Sequence, residues 1–145
     1  MTEEAQKPIF FIDRALGKKF VADALRSAGA VVEVHEDHFA PAAPDTEWLP
    51  EVSRRGWITV TRDAKIGLNL LEQVAIASSE ARVFVLSVDQ ATGEEMAKAV
   101  GAALPKMERL IVSHSAPFIA KIFEFGQVRM WKDRKKLLKT LKISR

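Results

Sequence analysis

Five acidic residues fall where a strand gives way to a turn or helix: Asp13, Glu36, Asp37, Asp45 and Asp63. Carboxylates brought together repel one another and raise one another's pKa unless a cation neutralises them. Hard oxygen ligands of this kind suit Mg²⁺ or Mn²⁺. A divalent ion so held can activate water and stabilise charge on a phosphodiester, and two ions can clamp the attacking and leaving oxygens. Each acid also has an ordinary reading. Asp13, Asp45 and Asp63 all precede or open a helix, where Asp is a favoured cap. Glu36 and Asp37 alone would be loop charges. Several acids on one sheet edge are harder to explain by capping.

The elements that must position these acids alternate. Pro8–Ile12 is a continuous apolar run that predicts a strand buried on both faces, as in the middle of a parallel sheet. Apolar residues at helical spacing predict a helix over 16–28, closed by Gly29. Val31–His35 is a second strand, and Asp45 opens a helix to about Arg55. Trp57–Thr61 is a third strand, 65–79 a helix, and Arg82–Ser87 a fourth strand. Thr92 with Glu95 three residues on forms a capping box for a helix to about Leu104, and 105–113 a further short helix. Pro117–Phe125 and Gln127–Trp131 around Gly126 predict a hairpin. Asp133–Arg145 reads as a short basic amphipathic helix bearing Leu137, Leu138 and Leu141. The expectation is one α/β domain with a mostly parallel sheet, its core over about 8–131 and a basic tail over 132–145. Right-handed crossovers would then collect the strand-end acids on one edge, where open α/β sheets bind ligands.

The chain has 145 residues, 48% of them hydrophobic and 28% charged, as in a soluble globular domain. With no cysteine, disulfides, thiolate metal sites and cysteine nucleophiles are excluded. The net charge of +3 hides a division: residues 1–100 hold 11 Lys/Arg against 16 Asp/Glu, and residues 101–145 hold 11 against 3. The acidic N-terminus is unlike a signal peptide and no apolar run spans a bilayer, so a cytoplasmic protein without a membrane partner is expected.

Asp13-Arg-Ala-Leu, His35-Glu-Asp-His-Phe39, Pro44-Asp-Thr-Glu-Trp-Leu49 and Thr59-Val-Thr-Arg-Asp63 together resemble a PIN-like domain. The similarity covers about residues 8–104 and is to the group that includes VapC-type toxins of toxin–antitoxin modules. It implies a Mg²⁺- or Mn²⁺-dependent ribonuclease whose clustered acids bind metal and activate water. Carried over by position, the metal-binding and catalytic acids are Asp13, Asp37, Asp45 and Asp63, with Asp37 ranked above Glu36 and Glu47 less fitting. Asp89 is the one acid close behind the fourth strand. RNA is the implied substrate; an antitoxin protein and a homodimer are left open as further partners.

Among supporting residues, Arg14 and Arg62 flank proposed ligands and could hold a phosphate, or simply pair with a neighbouring acid. Lys18 could reach substrate, and Thr61 could steady Asp63 by a hydrogen bond. His38 reads as a substrate contact in preference to a zinc ligand, because His114 is remote. Trp48 and Trp57 read as core. Adjacent Ser113 and His114 lack a partner acid, and Ala15 stands where an aspartyl phosphatase would want a second acid. The basic end could bind RNA, dock a partner or be a solvated terminus. Two functions from different classes remain: the ribonuclease, and a catalytically weak PIN-like module that binds RNA or protein.

Overall fold

The computed structural model describes residues 7–17 and 19–143. Six strands form one sheet: β1 (Ile9–Ile12), β2 (Val31–Val34), β3 (Ile58–Thr61), β4 (Arg82–Leu86), β5 (Phe118–Ile122) and β6 (Val128–Lys132). Their order is β2-β1-β3-β4-β5-β6. The first five are parallel, and β6 closes the edge as the antiparallel arm of the expected hairpin. The chain steps from β1 outward to β2, then returns past β1 to β3. The order therefore reverses between β1 and β3, and the carboxyl ends of those two strands flank the switch point.

Side chains alternate across each strand and feed two cores. On one face, Phe10 and Ile12 pack with Phe84, Phe118 and Ile122 beneath α1 (Phe20–Ser27) and α4 (Gly93–Ser113). On the other, Phe11, Val83, Val85 and Ile119 pack beneath α2 (Asp45–Arg54), α3 (Leu70–Ser79) and α5 (Arg134–Ile143). Both faces of the parallel strands are thereby covered, as their unbroken apolar runs require.

Three helices differ from the expectation. The first begins only at Phe20, after a separate 3-10 turn over Arg14–Leu16. Residues 65–79 divide into a 3-10 turn, Ala64–Gly67, and α3. The break arises at Asn69, whose side-chain oxygen accepts from the backbone N–H groups of Leu71 and Glu72 and so starts a new helix. Conversely, 93–113 is one helix with Pro105 inside it. The buried stripe Met96, Ala99, Val100, Ala103, Leu104 and Met107 keeps helical spacing across the proline. The Thr92–Glu95 capping box forms with both of its bonds, at 3.1 and 2.8 Å.

The basic C-terminal helix is part of the fold. Leu137 is 0% exposed in the second core, with Leu141 and Trp131 packed beside it. Among the described residues, no helix is long and apolar enough to cross a membrane. Leu137→Ala should lower unfolding stability by about 2–4 kcal/mol in a denaturant titration. A loss under about 0.5 kcal/mol, typical of an exposed site, would mean α5 is not docked.

Candidate metal centre

The switch point delivers the first pair of acids. Asp13 directly follows β1, and its N–H donates to the Val60 carbonyl at 2.9 Å, extending the β1–β3 pairing by one residue. Its carboxylate is only 7% exposed and accepts from the Thr61 hydroxyl at 2.5 Å. That same hydroxyl oxygen accepts from the Asp63 N–H at 3.1 Å. One buried side chain at the end of β3 thus ties both acids together. The Asp63 carboxylate also caps the 3-10 turn by accepting from the Lys65 N–H at 3.0 Å.

Helix starts supply the second pair. Asp45 lies in the first turn of α2 and Glu72 in the first turn of α3. Helix N-termini carry partial positive charge, which partly offsets the crowding of anions. One carboxylate oxygen each from Asp45, Asp63 and Glu72 lies within 4.8 Å of the others. Of the ordinary capping roles, only that of Asp63 occurs. Neither Asp13 nor the Asp45 helix start shows a side-chain cap bond.

Burial and this crowding together set the electrostatics. Burial pushes the Asp13 carboxyl above its ordinary value; the Thr61 bond opposes that rise and the Asp45 charge adds to it. Glu72 is pushed from its ordinary 4.5 up to about 7. Burial is the largest cause, followed by its hydrogen bond with Asp45 and the charges of Asp45 and Asp63, while Lys65 opposes. Glu72 Oε1 is buried with no hydrogen-bond partner. A hard, oxygen-only donor set with one orphaned carboxylate oxygen fits a divalent cation.

The residues named from sequence are distributed as follows. Asp13, Asp45 and Asp63 share the switch point. Asp37 is exposed at the end of the 3-10 turn His35–Asp37 and is not among the converging carboxylates. Its neighbour Glu36 lines the cleft of about 600 Å³ beside Asp13, with Arg14, Asp45 and the buried ring of His35. Lys18 lies outside the described residues. The Arg62 guanidinium rests 3.5 Å from Met96 Sδ on the α4 side. His38 Nε2 pairs with Glu33 at 2.7 Å, and its ring meets Trp57 edge-on. Trp48 is core, packed on Phe11 and His35. Ser113 and His114 bond each other at 2.9 Å, exposed where α4 ends.

Glu72 is the converging carboxylate that sequence reasoning missed. Its signal was Asn69 three residues earlier, a helix-start signature that puts Glu72 in a first turn just as Asp45 is. The 3-10 turn carrying that start is braced from behind. A Cβ at Gly67 would lie 2.3 Å from the Trp131 ring, so only glycine allows the approach. Trp131 is itself held under the Lys121 ammonium, 4.0 Å from the ring centre.

A doubly wound sheet with carboxylates gathered at its switch point is the architecture that the resemblance to a PIN-like domain implied. Residues 8–88 match the family profile described as a PIN like domain, and the chain belongs to that family. It is similar to a Mycobacterium tuberculosis protein named "Putative ribonuclease VapC45", with 28% identity over 124 residues that span 83% of this chain and 89% of that one. No solved structure matches the chain.

The raised Glu72 carboxyl has a consequence for stability. Between about pH 4.5 and about pH 7 the folded state holds a proton that the unfolded state has lost, so this group lowers stability as pH rises through that window. In chelator-treated protein, the melting temperature of wild type relative to Glu72→Gln should fall across it. Mn²⁺ added above pH 7 should restore the wild type and not the variant. A constant difference between the two across the window would contradict the crowded-acid description.

Proposed function

We propose that the chain is a divalent-metal-dependent ribonuclease, acting as the toxin of a cytoplasmic toxin–antitoxin pair. The observation that carries this reading is the convergence of Asp45, Asp63 and Glu72 beside Asp13 at the β1/β3 switch point. The family membership and the name of the mycobacterial relative support it.

In this reading Asp13, Asp45, Asp63 and Glu72 hold Mg²⁺ or Mn²⁺, and Asp37 on its exposed turn stands outside the ligand set. The ion supplies charge neutralisation at the phosphate and a water of lowered pKa. The chain's own residues supply the geometry. Thr61 fixes the Asp13 carboxylate and the backbone of Asp63 relative to each other. Arg14, exposed on the cleft beside Asp13, meets the RNA phosphate. Water oxygen bonds to phosphorus, one P–O ester bond breaks, and the leaving oxygen takes a proton.

Purified protein should cleave single-stranded RNA only with Mg²⁺ or Mn²⁺ present. Asp63→Asn and Glu72→Gln should abolish cleavage while the fold persists by circular dichroism, and Asp37→Asn should retain it. Thr61→Val, which removes only a bond supporting a ligand, should lower the rate about 10- to 100-fold. Undiminished cleavage by Asp63→Asn would refute the assignment. For the toxin role, expression of the wild type should arrest growth of a host and Asp63→Asn should not; growth unaffected by an active enzyme would remove that role alone.

A further inference from the structure

A cavity of about 1040 Å³, larger than the cleft beside Asp13, lies away from the acids. It opens on the same rim of the sheet, where β4 and β5 end, between the Ser87–Ala91 turn, α4 and the tip of the β5–β6 hairpin. Strands are spaced about 4.8 Å apart, so this rim position begins one strand beyond Asp63, a short step for an extended single strand. Arg62 follows β3, and its guanidinium reaches Met96, the neighbour of the cavity-lining Glu95.

Phe125 on the hairpin tip is 75% exposed, yet the tip that carries it is firmly held. Phe123 N–H donates to the Gln127 carbonyl at 2.8 Å, and Gly126 N–H to the Phe123 carbonyl at 2.9 Å. Phe125 N–H donates to the Gln127 side-chain oxygen at 3.1 Å. Gly126 has φ +83° and sits so close to α4 that a Cβ there would be 2.8 Å from Ala102 Cβ. An aromatic ring that is open to solvent on a locked backbone is a pre-organised stacking platform. Lys98 and Arg129 bring positive charge to the same cavity. The carboxylate of Glu95 is engaged in the Thr92 cap, whereas those of Asp89 and Glu124 are exposed and can accept from base amino groups.

We propose that this cavity is a nucleotide subsite, in which one base of single-stranded RNA stacks on Phe125 while an adjoining phosphodiester occupies the metal centre. The lining offers cations for the backbone, acceptors for the base edge, and an aromatic face for the ring. The proposal rests on the ribonuclease reading and adds to it where the substrate is gripped.

The test measures binding, with Asp63→Asn as the background so that RNA stays intact. A short fluorescein-labelled single-stranded RNA is compared with versions in which one abasic nucleotide is moved along the strand. At one position, loss of the base should weaken binding about tenfold by anisotropy. Adding Phe125→Ala should weaken the intact RNA by a similar factor and erase the abasic penalty, with the melting temperature unchanged. An abasic penalty that survives in Phe125→Ala, or none at any position, overturns the subsite and leaves the cavity to a protein ligand. Failure of the wild type to cleave RNA would instead refute the ribonuclease reading, because this measurement requires no cleavage.

Discussion

The gathering of buried and half-buried carboxylates at one strand-end switch point is the constraint on which the site depends. Parallel pairing of β1 with β3 brings Asp13 and Asp63 to neighbouring strand ends, and the first turns of α2 and α3 add Asp45 and Glu72. The fold relieves part of the crowding through the Thr61 hydroxyl, the Lys65 N–H and two helix N-termini. Burial first, and the neighbouring acids second, raise the Asp13 and Glu72 carboxyls, and one Glu72 oxygen is left without a hydrogen-bond partner. On the proposed reading, a divalent cation bound there would supply the missing charge and the missing ligand partner together.

The second core explains how such a site stays in place. The turn that carries Asp63 toward Glu72 is backed by Trp131 against Gly67, and Trp131 belongs to the same apolar layer as Leu137 of α5. The basic C-terminal segment is therefore tied through that layer to the acidic centre. The division of charge along the chain, acidic through residue 100 and basic after it, corresponds to an acidic cluster and a basic helix joined through one apolar layer.

Much of this was legible in the sequence, for physical reasons that differ by residue. Asp13 and Asp63 could be read because unbroken apolar runs marked buried strands, and the acids sat at their ends. Asp45 could be read because Pro44 and the following apolar spacing marked a helix start. Glu72 could not, because 65–79 has enough apolar residues to read as one helix, and only the Asn69 cap divides it. Of the adjacent Glu36 and Asp37, Glu36 lines the cleft, a distinction that sequence pattern does not resolve because successive residues of a 3-10 turn point about 120° apart. The continuity of α4 through Pro105 was hidden because local propensity disfavours it and only the buried stripe overrides it.

The central claim is that Asp45, Asp63 and Glu72, with Asp13 beside them, form one cation site. The most direct measurement is an anomalous difference map from crystals soaked in Mn²⁺. The structure predicts a peak enclosed by the Asp45, Asp63 and Glu72 carboxylates and within reach of Asp13. A peak bound through Asp37 with Glu72 uninvolved, or no peak at the switch point at saturating Mn²⁺, would contradict it.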